Sequence, residues 1–230
     1  MIIAMFLAHL VGDYVLQWDR LAARKSRELN GVLIHGLVVF LVTWAFALPF
    51  DPYWWQGILF IGLTHLFIDA VQLYYKPPVP PLARFLLDQL AHLVVILVAL
   101  AWGGYLYLPL IVGDLHGILQ NERLLVYLLA YTFLTMPAWI ILKFVAYGLL
   151  RGEAPVFPDG TGKYIGSLER ILMTTLVALG QFLLVPVIVL PRLALEWPQI
   201  GRSERAPTYI IELLAGVALS IMIGLALTRL

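Results

Sequence analysis

The chain has 230 residues, 62% of them hydrophobic and 13% charged, with a net charge of +1 and a mean hydropathy of +0.91. Soluble domains are about half apolar, so the composition excludes an ordinary soluble domain and indicates an integral membrane protein. Its basic residues fall in short loops instead of a patch, which argues against nucleic acid as a partner, and the absence of cysteine excludes disulfides, thiolate metal sites and a cysteine nucleophile.

A bilayer core about 30 Å thick needs about 20 apolar residues per helix. Six or seven segments qualify, near 1–17, 31–50, 54–75, 84–104, 124–148, 166–190 and 208–228, which predicts an all-α polytopic bundle. The first lacks the positive start and small-residue cleavage site of a signal peptide, so we expect it to be retained. Proline- and glycine-bearing loops such as "KPPVPPLAR" and "RGEAPVFPDGTGK" separate the spans. We divide the chain into a four-helix domain over 1–112 and C-terminal membrane helices over 113–230.

Lysine and arginine favour the cytoplasmic side. With the amino terminus outside, Arg20, Arg24, Lys25, Arg27, Lys76, Arg84, Arg151, Lys163, Arg170 and Arg229 lie inside or near it. The three arginines following the sixth segment, Arg192, Arg202 and Arg205, contradict that orientation, so this segment is re-entrant or its loop interfacial. Trp54, Trp55, Tyr74, Tyr75, Tyr105 and Tyr107 gather at span ends, where an aromatic belt is expected.

The first four spans also carry His9, Asp13, His35, His65, Asp69, Asp88 and His92. Three of the pairs are spaced i, i+4, one turn apart on one helix face. Because the helices alternate in direction, every Asp lies nearer the cytoplasm and its His one turn deeper. All seven fall in a slab roughly 6–15 Å deep at 1.5 Å per residue. "HLVGD" and "HLFID" suggest a duplicated helical hairpin, with polar sites at the repeat interface. Where an aspartate precedes His92, Gly31 stands before His35.

Buried carboxylates and imidazoles need partners or a cation. The set suits a divalent metal such as zinc, manganese or iron, with Gln17, Gln72 and Gln89 as supporting hydrogen-bonding groups. By charge, one ion leaves three carboxylates underneutralised and two slightly overneutralise them, which permits a dinuclear site. The competing uses are helix-to-helix hydrogen bonding and a proton or ion pathway. Elsewhere, "DGTGKY" lacks the glycine spacing, the Ser/Thr and the preceding strand of a phosphate loop. Glu169 and Arg170 read as an ion pair or a headgroup contact, Glu212 as a snorkelling or paired carboxylate, and His116 beside Asp114 as a solvated loop residue.

"HLVGDYVLQWDRLAARK", a histidine in the next span, "HLFIDAV" and "FLLDQLAH", in that order, resemble the bacterial membrane proteins grouped as domain of unknown function 3307. The likeness covers most of 5–95 and, more loosely through "GKYIGSLERIL", 160–225. It matches at His9, Gly12, Asp13, Gln17, His35, His65, Asp69, Asp88, Gln89 and His92, and implies a bacterial inner-membrane protein without implying an activity. The chain departs from it at Tyr14, often Phe there, and at Gln72, often Lys, a change that removes an internal cation beside Asp69.

The leading reading is a membrane metalloprotein with a site near the cytoplasmic face, acting as a metal-dependent hydrolase on a lipid-like substrate. A proton- or ion-coupled transporter or channel and a structural subunit of a larger membrane assembly are the alternatives.

Overall fold

The computed structural model describes residues 1–106, 115–155, 157, 162–201, 203–204 and 206–230, leaving aside the side chains of 115, 116, 118 and 199. The described residues are helical, with no strand among them. They form two compact units, 1–79 with 83–132 and 80–82 with 133–230. His116, Asp114 and Tyr107, and residues 159–161 of "DGTGKY", fall outside what is described.

The first unit begins with α1 (Ile2–Leu10), which continues as a π-helix over Val11–Val15. There Leu16 N–H donates to Val11 O at 2.8 Å, an i→i+5 bond that widens the helix around Asp13. After the short α2 (Asp19–Lys25) come α3 (Leu29–Ala47), α4 (Trp55–Tyr74) and α5 (Pro81–Trp102). The last three are each long and apolar enough to cross a membrane, whereas Ile2–Val15 is a shorter apolar helix. Two short helices follow, α6 (Leu115–Asn121) and α7 (Arg123–Leu134).

The half of this unit remote from α2 is filled by a dry core that includes Met5, Ala47, Trp54, Ile58, Ile96 and Leu100. Trp54 is only 6% exposed and packs edge-on against Tyr105 at 5.3 Å, while the Tyr105 hydroxyl donates to Asp51. These two residues plug the end of the unit, whereas Trp55, Tyr74 and Tyr75 of the expected belt are exposed. At the opposite end the start of α3 meets the end of α2 at Gly31. A Cβ there would lie 2.4 Å from the Arg24 and Lys25 backbones, far inside van der Waals contact. Because backbone yields less readily than a side chain, Gly31→Ala should push α2 off α3 at a cost of about 1–3 kcal/mol. A lowered thermal midpoint of the detergent-solubilised chain, read by fluorescence, checks this.

In the second unit α8 (Met136–Leu150) follows α7 at a bend of 46°, the pair forming a broken span or a re-entrant loop. Then come α9 (Gly162–Ala178), α10 (Val185–Ile200) and α11 (Ala206–Leu227). Four helices, α3, α4, α5 and α11, pass as spans on their own, and a fifth if the bent pair is one. The expected sixth span, 166–190, is not one helix. Gly180, at φ +75°, turns the chain, and a 3₁₀ turn (Phe182–Leu184) leads into α10. The two helices fold back on one another, as the 2.8 Å ion pair between Glu169 and Arg192 records.

Side chains hold this unit together from within. Lys143 pairs with Glu212 at 3.0 Å, which gives Glu212 the partner its position requires. Arg170, only 6% exposed, donates to Leu134 O at 2.8 Å and Thr135 O at 3.1 Å, carbonyls bared by the bend between α7 and α8. Glu169 therefore pairs with Arg192 and not with its neighbour Arg170, because adjacent residues leave a helix in different directions.

Candidate metal centre

The polar residues of α1 and its π-helical continuation, α3, α4 and α5 meet at one interior point. His9, Asp13, His35, His65, Asp69 and His92 are all buried, and Asp88 is half-buried. His65 is central, with ring centroids 4.2 Å from His92, 5.2 Å from His35 and 6.1 Å from His9. Such crowding of four imidazoles has no apolar rationale, since each brings two polar nitrogens that must be matched.

Several of the nitrogens face each other and the carboxylates. His35 Nε2 lies 3.0 Å from Asp13 Oδ1, 3.2 Å from His65 Nε2 and 3.6 Å from Asp69 Oδ2. His65 Nε2 lies 3.3 Å from Asp69 Oδ2 and 3.9 Å from Asp13 Oδ1. One N–H on His35 cannot satisfy three neighbours at once, whereas a cation among them satisfies all. His92 Nδ1 contacts the Asp88 backbone oxygen at 2.9 Å, while its Nε2 is buried and has no hydrogen-bond partner among the described residues. Two triads, Asp13–His35–His65 and His65–Asp69–His92, have the spacing to hold an ion, each with its ligand atoms within 4.8 Å of one another.

The amides surround this core. Gln89 contacts His9 at 3.3 Å and donates to Asp88 at 3.0 Å and Asp13 at 3.4 Å. Gln72 donates to Asp88, and Gln17 Nε2 meets His35 Nδ1 at 3.5 Å. All seven expected site residues and the three glutamines thus belong to one network. Tyr14, also buried, packs edge-on to His9 at 6.4 Å.

One participant went unread in the sequence. Lys25, at the end of α2, reaches in to Asp69 Oδ2 at 2.9 Å and Asp13 Oδ1 at 3.6 Å. The expectation that Gln72 leaves Asp69 without an internal cation is therefore corrected, because the cation comes from the loop helix instead. Burial opposes its charge, but Asp13 and Asp69 outweigh that and raise the ammonium above the ordinary lysine value, so it is charged at neutral pH. The signal was a basic loop helix ending six residues before Gly31, the glycine that lets its backbone approach.

Beside the histidines lies a cavity of about 10 Å³, lined by residues that include Met5, His9, Thr43, His65, His92 and Ile96. It has room for about one water.

Residues 1–109 match the family described as "Protein of unknown function (DUF3307)". Residues 1–109 are a DUF3307 domain. Every residue of the network lies within that DUF3307 domain, Lys25 included. Neither a curated protein nor a solved structure matches the chain.

Proposed function

We propose that the chain is an integral membrane metalloprotein whose DUF3307 domain holds one divalent transition-metal ion among α1, α3, α4 and α5. The observation that carries this reading is the charge balance. Three carboxylates, Asp13, Asp69 and Asp88, stand against one ammonium, Lys25, leaving a formal −2 that one M²⁺ neutralises. Geometry agrees on the number, since the two triads share His65 and its Nε2 faces the carboxylates of both. One nitrogen lone pair serves one ion. A mixed imidazole and carboxylate set favours zinc, manganese or iron.

Lys25 and the basic residues around it support a cytoplasmic location for this end and an external amino terminus. A conduit is disfavoured, because Val39, Ile61, Val95 and Ile96 roof the histidines and the dry core fills the half beyond. Hydrolysis of a lipid-like substrate by metal-activated water would require the site to open, as the cavity of about 10 Å³ admits no headgroup.

Protein purified in detergent without chelators should carry about one equivalent of transition metal by elemental analysis. Protein free of metal, and refractory to loading with zinc, manganese or iron, would overturn the reading in favour of a lysine-centred structural network.

A further inference from the structure

A second polar site lies in the other unit. A cavity of about 160 Å³ is lined by four cations, Lys143, Lys163, Arg170 and Arg192, and by two carboxylates, Glu169 and Glu212. Both carboxylates are engaged, with Lys143 and Arg192 respectively accounted for at 3.0 Å to Glu212 and 2.8 Å to Glu169. Arg192 also meets Glu196 at 3.2 Å.

Arg170 has no carboxylate partner within salt-bridge distance among the described residues. Its Nε and Nη2 are spent on Leu134 O, Thr135 O and Ser167 Oγ, which leaves Nη1 for the cavity. At Gly166 it converges with Arg192 Nη1, which also donates to Glu169 at 2.8 Å, for a Cβ built there would lie 3.4 Å from both nitrogens. Two guanidinium groups thus converge on the notch of a missing side chain. Glu169 and Glu196 already balance Arg192, so the guanidinium without a carboxylate is that of Arg170, and an anion over Gly166 supplies its counter-charge. Guanidinium forks suit phosphate oxygens above other anions of the membrane.

An apolar groove of about 540 Å³ opens alongside. Leu190, Ala194 and Trp197 of α10 and Ile210 and Leu214 of α11 line it, and Leu213 belongs to both groove and basic cavity. An anionic group with an apolar tail fits the pair, whereas a free phosphate leaves the groove unused. The structure points to one occupant: we propose that this unit binds an anionic phospholipid, its phosphate between Arg170 and Arg192 over Gly166 and an acyl chain in the groove between α10 and α11.

The test is native mass spectrometry of the full detergent-solubilised chain titrated with phosphatidylglycerol, phosphatidylcholine or inorganic phosphate. One phosphatidylglycerol should be retained, about tenfold or more in preference to phosphatidylcholine, and millimolar inorganic phosphate should not displace it. Gly166→Ala, which favours the helix while filling the notch, should weaken retention about tenfold without lowering the thermal midpoint. Arg170→Gln should weaken it too, and His35→Ala, in the other unit, should not. Equal retention of both lipids, or full retention by Gly166→Ala, overturns the proposal. Displacement by inorganic phosphate overturns the lipid as occupant and leaves a plain phosphate site.

Discussion

His65→Gln should empty the metal centre, lowering bound metal from about one equivalent to background in elemental analysis, with affinity reduced at least about 100-fold. The size of this effect follows from its position. His65 is the only residue common to both triads, so its loss breaks each of them, whereas loss of His92 or Asp13 leaves one intact. Glutamine keeps bulk and polarity in the packed interior, and the variant should fold. Gln72→Ala provides the graded control, because among the described residues it hydrogen-bonds to Asp88, which in turn faces the ligand His92, and its loss should weaken binding by no more than about tenfold. Unchanged metal in His65→Gln would sink the shared-histidine arrangement even if metal is present.

Lys25→Met should destabilise the metal-free protein by about 3–5 kcal/mol, the cost of stranding buried charge when one partner is removed. Asp13 and Asp69, 7% and 3% exposed at their side chains, would then face one another with no ammonium between them. Methionine retains most of the aliphatic stem, so lost packing contributes little. Addition of metal should recover most of the loss, since a cation returns to the same carboxylates. Thermal melts in chelator and in excess metal separate the two conditions. A variant equally destabilised in both would mean that Lys25 acts by packing α2 and not by charge.

The depth argument from i, i+4 pairs located the site because helix periodicity is rigid and each carboxylate in an apolar span has to face inward. That reasoning reached His9, His35, His65, His92, Asp13, Asp69 and Asp88 without knowledge of how the helices pack. It could not reach Lys25, which lies in a loop whose fold depends on Gly31 meeting the backbone of α2. Nor does spacing reveal the π-helix at Val11–Val15, which changes the direction of Asp13 without changing its number. The break at 179–184 was hidden for a different reason: "LGQFLL" is as apolar as a span, and hydropathy does not register a glycine at positive φ. Trp54 and Tyr105 were misread because composition at a helix end does not distinguish a ring facing lipid from one closing a core.

The fold-back of α9 and α10 has a consequence for how the chain is made. Since the hairpin returns on itself, the start of α9 and the end of α10 lie at one end of the second unit. The leading edge of the hairpin is Leu179, Phe182, Leu183 and Leu184, all exposed and none charged. Insertion of this turn into a bilayer therefore carries no charged residue with it.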